Sequence, residues 1–167
     1  MDEEKDLMHE EKEEIEALWE EYNATKQPTE LIQIAVKTND LAELYLAVEQ
    51  KYTAEFYEYK KKAGEVYHEV AKITQQPNAY LLSVLFYLQG NEQRKAERTL
   101  NKVKRKMRQN KYRRLIDADV VKIAEWLAQN QVKKTEVALK NKVFAPDPQI
   151  LKEIRKTIKH IKNGIDQ

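Results

Sequence analysis

Apolar side chains recur along this chain at intervals of three and four, the spacing that lines one face of an α-helix. Breakers fall between such runs rather than inside them. Residues 3–24 place Leu7, Ile15, Leu18, Trp19 and Tyr22 near one stripe, with glutamates around the rest. Gln27-Pro28-Thr29 interrupts that run, and Pro28 suits the first turn of a short helix over about 29–37. Thr38-Asn39-Asp40 has the short polar side chains of an N-cap. It opens a long predicted helix over about 40–74, from Leu41 and Leu44 through Tyr52, Phe56, Ala63 and Val70 to Ile73, with Gly64 its one weak point. A run of that length suits an antiparallel hairpin or coiled-coil partner.

Gln75-Gln76-Pro77-Asn78 ends the long run, and residues 79–89 follow as a helix that is apolar nearly all round, the mark of a central, buried element. Leu81, Leu82, Val84, Leu85, Phe86 and Leu88 are its expected core residues. Gly90 reads as its stop and Asn91 as the next N-cap. The pattern then predicts helices over 92–116, from Asp117 through Ala128, over about 131–142, and over 149–163 up to Gly164. The expected fold is all-α, a helical bundle of six to eight helices built around a long antiparallel helical hairpin, with more than about 65% of residues helical. Residues 1–145 form the bundle, with an acidic N-terminal helix at 1–26 and a basic helix at 92–116. The C-terminal helix, 149–167, follows the linker Ala145-Pro146-Asp147-Pro148.

Composition sharpens this picture. Charged residues make up 35% of the 167, with three glycines, four prolines and no cysteine. The breakers are too few for an all-β protein, and disulfides and thiolate chemistry are excluded. The N-terminus lacks the features of a signal peptide and no apolar run is long enough to span a bilayer, so the expected location is the cytoplasm, with no membrane partner.

The net charge of +2 conceals a strong asymmetry. Residues 1–21 hold eleven acids against two lysines, residues 94–114 hold eleven bases against Glu97 alone, and residues 133–162 add nine bases against three acids.

Catalytic chemistry finds little support. Ser83, the single serine, lies in the most apolar helix, where a triad nucleophile is out of place. No glycine-rich phosphate loop exists. Glu65-Val66-Tyr67-His68 has the Glu-x-x-His spacing of a di-iron bundle, but His9 and His160 lack the matching glutamate, so the motif reads as an ordinary surface pair. No cofactor, no metal and no enzymatic activity are expected; a carboxylate-only metal enzyme is the residual third class. Tyrosines could stack single-stranded bases, yet Tyr45, Tyr52, Tyr59 and Tyr67 sit at core spacings and read as helix packing.

The basic run is the strongest functional signal. Arg94, Lys95, Arg98, Lys102, Arg105, Lys106, Arg108, Lys111, Arg113 and Arg114 are the candidate nucleic-acid-binding residues. About ten uncompensated charges along roughly 30 Å of helix attract phosphates and release counterions. An acidic protein surface, or this chain's own N-terminal segment, is the competing ligand, and a solvated face without a role is the bland alternative. Residues 117–142 also admit a helix-turn-helix reading, although Ala128-Gln129-Asn130 puts no glycine in the turn.

Glu55-Phe56-Tyr57 followed by a long helix, and a basic helix ending Lys111-Tyr112-Arg113-Arg114-Leu115-Ile116, together resemble the helical domain of GINS replication-complex subunits over about 80 residues. The small β-rich domain of those subunits has no counterpart here. The resemblance implies a non-enzymatic scaffold bound to other subunits close to DNA. The preferred reading is a non-catalytic nucleic-acid-associated or replisome-type assembly protein. The alternative is a pure protein–protein adaptor, phage- or plasmid-borne in one version, which docks other chains through its acidic and basic segments. Other protein subunits are expected partners under both readings, and homo-oligomerisation stays open.

Overall fold

The structure, a computed structural model, describes residues 2–109, 117–141 and 147–165. Eight α-helices and no strands occupy these residues, which are 87% helical. They are α1 (Asp2–Thr25), α2 (Pro28–Glu49), α3 (Ala54–Thr74), α4 (Pro77–Gln89), α5 (Gln93–Met107), α6 (Ala118–Ala128), α7 (Val132–Leu139) and α8 (Pro148–Ile165). Consecutive helices pack on one another from α1 to α5, and α8 returns to lie on α4. The expected all-α bundle is present. None of the helices is long and apolar enough to cross a membrane.

The central hairpin forms from different segments than the apolar pattern suggests. Thr38-Asn39-Asp40 lies inside α2, and the chain turns instead at residues 50–53. Gln50 closes α2 in the left-handed region at φ 56°, its N–H bonded to the Leu46 carbonyl. Thr53 opens α3 as N-cap, its Oγ1 accepting from the Phe56 N–H at 3.2 Å. The antiparallel course follows from the pairs across it, Lys60 with Glu43 and Tyr45 stacked on Tyr59. Asn39 is withdrawn from capping because its Oδ1 accepts from Lys60 at 2.5 Å. A tertiary bond to a buried cation outcompetes a local cap whose worth is about 1 kcal/mol.

Helix α4 is the hub. Every residue from Ala79 to Gln89 is buried, including all six predicted core positions. Its close approach to α3 depends on glycine. A Cβ on Gly64 would lie 2.8 Å from Tyr87 Cδ1, and the Gly64 carbonyl accepts from Ser83 Oγ at 2.7 Å. Gly64 is thus a contact point rather than a weak point, and Ser83 is a buried tie between helices. Gly90 has φ −91° and ends α4 beside α3, where a Cβ would meet the Lys61 nitrogen at 2.8 Å. The left-handed residue of that turn is Asn91 at φ 58°, and Glu92, not Asn91, is the N-cap of α5.

A buried polar network binds the C-terminal helix to this hub. Ile150, Ile154 and Ile158 of α8 join the common core. Beside them Lys60, fully buried, donates to Asn39 and to Glu43 at 2.6 Å, between the rings of Phe56 and Phe86. Lys156 of α8 reaches the same Glu43 at 3.0 Å. Gln89 donates to Glu153 and to Thr157, each at 3.1 Å. Burial pushes the Glu43 carboxyl up, but Lys60 and then Lys156 outweigh it and hold its pKa below the usual range. Burial lowers the Lys60 pKa, offset only in part by Glu43 and Glu153.

Candidate nucleic-acid interface

Helix α5 sorts its charges by residue type. Ala96, Thr99, Leu100 and Val103 are buried against the core. The helix carries no acid in its first turn, and Lys104, Arg105 and Lys106 crowd its last turn, where cations complement the helix dipole. On the flank toward α3, Lys95 pairs with Glu65 at 2.8 Å and Lys102 Nζ lies 2.9 Å from His68 Nε2. Lys106 donates to Gln75 at 2.7 Å and lies over the Tyr80 ring. On the opposite flank Lys104 pairs with Glu125 of α6 at 2.6 Å.

The arginines take the remaining face. Arg94, Arg98, Arg105 and Arg108 are all exposed. With Asn101 they advance by four, three, four and three residues, which at 3.6 residues per turn makes one straight crest opposite the buried face. Its length, Arg94 to Arg108, is roughly 21 Å at 1.5 Å per residue. Among the described residues no carboxylate forms an ion pair with any of these four arginines. Guanidinium groups so placed can each take an oxyanion by two parallel N–H bonds.

Of the ten basic residues singled out in the sequence, the structure brings Arg94, Arg98, Arg105 and Arg108 onto one free crest. It turns Lys95, Lys102 and Lys106 toward α3. Lys111, Arg113 and Arg114 lie outside the described residues, as does the second GINS-like segment; Glu55-Phe56-Tyr57 occupies the first turn of α3. Glu65 and His68 are the anchors for two α5 lysines, a role that their i,i+3 spacing could not reveal. A lysine ammonium only donates, so His68 Nε2 accepts. Burial and then the Lys102 charge lower its pKa accordingly.

Other concave surfaces suit polyanions less well. A groove of about 760 Å³ between α1 and α3 is lined by Leu41, Val66 and Tyr87, but Lys12, Lys62 and Lys72 share its lining with Glu16, Glu65 and Glu69. Tyr45, Tyr52, Tyr57, Tyr59, Tyr67, Tyr80 and Tyr87 are buried or half-buried, as packing requires. Residues 117–141 form α6 and α7 around Asn130 at φ 59°, where the left-handed asparagine takes the place of a glycine. Helix α7 has only eight residues and Thr135 on it is fully buried. Among the described residues no group of three His, Asp or Glu stands close enough to hold a metal ion.

The acidic segment does not lie on this interface. Helix α1 packs on α2, where Met8, Ile15, Leu18 and Tyr22 meet the core and Lys37 pairs with Glu11 at 3.7 Å and with Glu14. Leu7, expected in that stripe, is 50% exposed and Met8 takes its place. No family model, no curated protein and no solved structure matches this chain.

Proposed function

We propose that the protein is a non-catalytic, nucleic-acid-associated assembly protein that contacts phosphates through the arginine crest of α5. The observation that supports this reading is the division of labour on that helix. The lysines close ion pairs and hydrogen bonds within the fold, while Arg94, Arg98, Arg105 and Arg108, the better bidentate ligands for phosphate, have no carboxylate partner among the described residues and stand on a straight outward line. Such a line fits the backbone of a nucleic acid, and contacts of this kind position a chain without reading sequence. A replisome-type assembly, in line with the GINS resemblance, is one setting for such a surface.

The test is a salt titration of binding to single- and double-stranded DNA and RNA. Four phosphate contacts predict a log–log slope of about −3.6 on duplex, at about 0.9 per contact. Changing Arg94, Arg98, Arg105 and Arg108 to Gln removes most of that slope and leaves the circular dichroism unchanged. Changing Lys95 and Lys102 to Gln moves the slope little and lowers stability instead. Absence of binding to every strand type at low salt overturns the reading.

A further inference from the structure

The same crest has a counterpart on the molecule that it does not touch. On α1, Glu3, Asp6, Glu10, Glu13 and Glu20 are exposed, and with Ala17 they advance by three, four, three, four and three residues. Met8, Ile15, Leu18 and Tyr22 pack toward the core from the other side of the helix, so these acids form a second straight crest pointing away from it. Within one chain the two crests are held apart. Helix α1 is fixed on α2, α5 is packed against α4 and α6, and no ion pair among the described residues joins α1 to α5.

We propose that the acidic crest of α1 in one copy docks on the arginine crest of α5 in a second copy, giving head-to-tail self-association. The two ladders share one repeat. Laid antiparallel, Glu13 faces Arg98, Glu10 faces Asn101, Asp6 faces Arg105 and Glu3 faces Arg108. That orientation also sets the positive N-terminal end of α1 beside the negative C-terminal end of α5. Leu7, 50% exposed beside the acidic crest, supplies apolar area at the edge of the contact. Because the two faces differ, each docked copy presents a free face for the next, and the assembly grows or closes into a ring. A polyanion meets the same arginines, so phosphate binding and self-association exclude each other. This inference stands independently of the phosphate reading, since it is measured with no nucleic acid present.

Sedimentation velocity on the full chain over a concentration series provides the test. The wild type associates at low ionic strength and dissociates at about 1 M salt, where the screening length is about 3 Å. Two variants then assign the faces. One carries Arg94→Gln, Arg98→Gln, Arg105→Gln and Arg108→Gln; the other carries Glu3→Gln, Asp6→Asn, Glu10→Gln and Glu13→Gln. Each alone associates roughly 12-fold more weakly than wild type, which is about 1.5 kcal/mol at 1.4 kcal/mol per factor of ten and matches the three exposed pairs Glu13–Arg98, Asp6–Arg105 and Glu3–Arg108 at about 0.5 kcal/mol each. Mixed in equal amounts they form a 1:1 heterodimer and grow no further, because only one intact crest of each sign remains. A wild type that stays monomeric at low salt overturns the proposal, as does an α1 variant that alone associates as strongly as wild type or a mixture that forms no heterodimer.

Discussion

Lys60 shows how far a charged side chain can be carried into a core when its partners travel with it. Its ammonium lies over the rings of Phe56 and Phe86 and meets Asn39 and Glu43, so the charge is paired and hydrogen-bonded although fully buried. The two ends of the pair are not equivalent. Glu43 keeps Lys156 if Lys60 is lost, whereas Lys60 keeps only the neutral Asn39 amide as a hydrogen-bond partner, with the charge of Glu153 nearby, if Glu43 is lost. Lys60→Met should therefore cost less than about 1 kcal/mol, the thioether filling the same slot, while Glu43→Ala should cost about 3 kcal/mol or more. Urea denaturation of the two variants checks this; equal costs would show that the network does not carry its charge as the geometry indicates.

His160 is the second residue with a measurable signature. Its Nε2 donates to Asn91 Oδ1 at 2.9 Å, its Nδ1 is buried without a partner, and Tyr52, Phe56 and Tyr57 surround the ring. Burial, then the Lys60 charge, lowers its pKa below 6.5. The unfolded chain takes up a proton near that value and the folded one does not. Stability should fall as pH drops below 6.5, by up to about 1.4 kcal/mol per pH unit from this group, until the folded pKa is passed. His160→Gln should flatten that part of the stability–pH curve; an unchanged slope would assign the effect to His68 alone.

Among the helices, the α3–α4 contact has the tightest steric specification. Helix propensity alone predicts that Gly64→Ala stabilises α3 by about 1 kcal/mol. The added methyl would instead press on the Tyr87 ring at 2.8 Å and strain the Ser83 bond to the Gly64 carbonyl. Overpacking of this kind costs about 1–3 kcal/mol, so the net change should be destabilising. A rise in Tm for Gly64→Ala would mean that the two helices slide apart without penalty. The same contact explains why α5 lies where it does: Lys95 sits over the Tyr87 ring and pairs with Glu65, so α3, α4 and α5 meet at one seam.

Across the molecule, charge is sorted by direction rather than cancelled. The acidic crest and the arginine crest face outward from different helices, and the ion pairs between helices use mainly lysines. If the acidic segment shielded the basic helix within one chain, neutralising it would tighten polyanion binding at every protein concentration. With α1 held on α2, neutralising Glu3, Asp6, Glu10 and Glu13 should leave the affinity of dilute protein unchanged at about 0.15 M salt, where fields beyond about 8 Å are screened. Only concentrated protein, in which copies compete with phosphate for the crest, should gain. Fluorescence titration of a labelled oligonucleotide at two protein concentrations separates these outcomes.

The periodicity of apolar residues was enough to specify an all-α bundle, to make α4 its centre and to mark the basic helix, because burial of a helix face is a one-dimensional pattern repeated every 3.6 residues. Helix ends were less legible. Thr38-Asn39-Asp40 offers cap chemistry in the sequence, yet the cap that forms is Thr53, and Lys60, some twenty residues on from Asn39, claims the Asn39 side chain. The need for Gly64 and Gly90 came from neighbours on other helices, not from their own backbone angles. The basic run was visible as charge, but not its division into inward lysines and outward arginines. That division depends on which carboxylates, imidazoles and rings of α3, α4 and α6 come within reach of α5, and only packing in three dimensions brings them there.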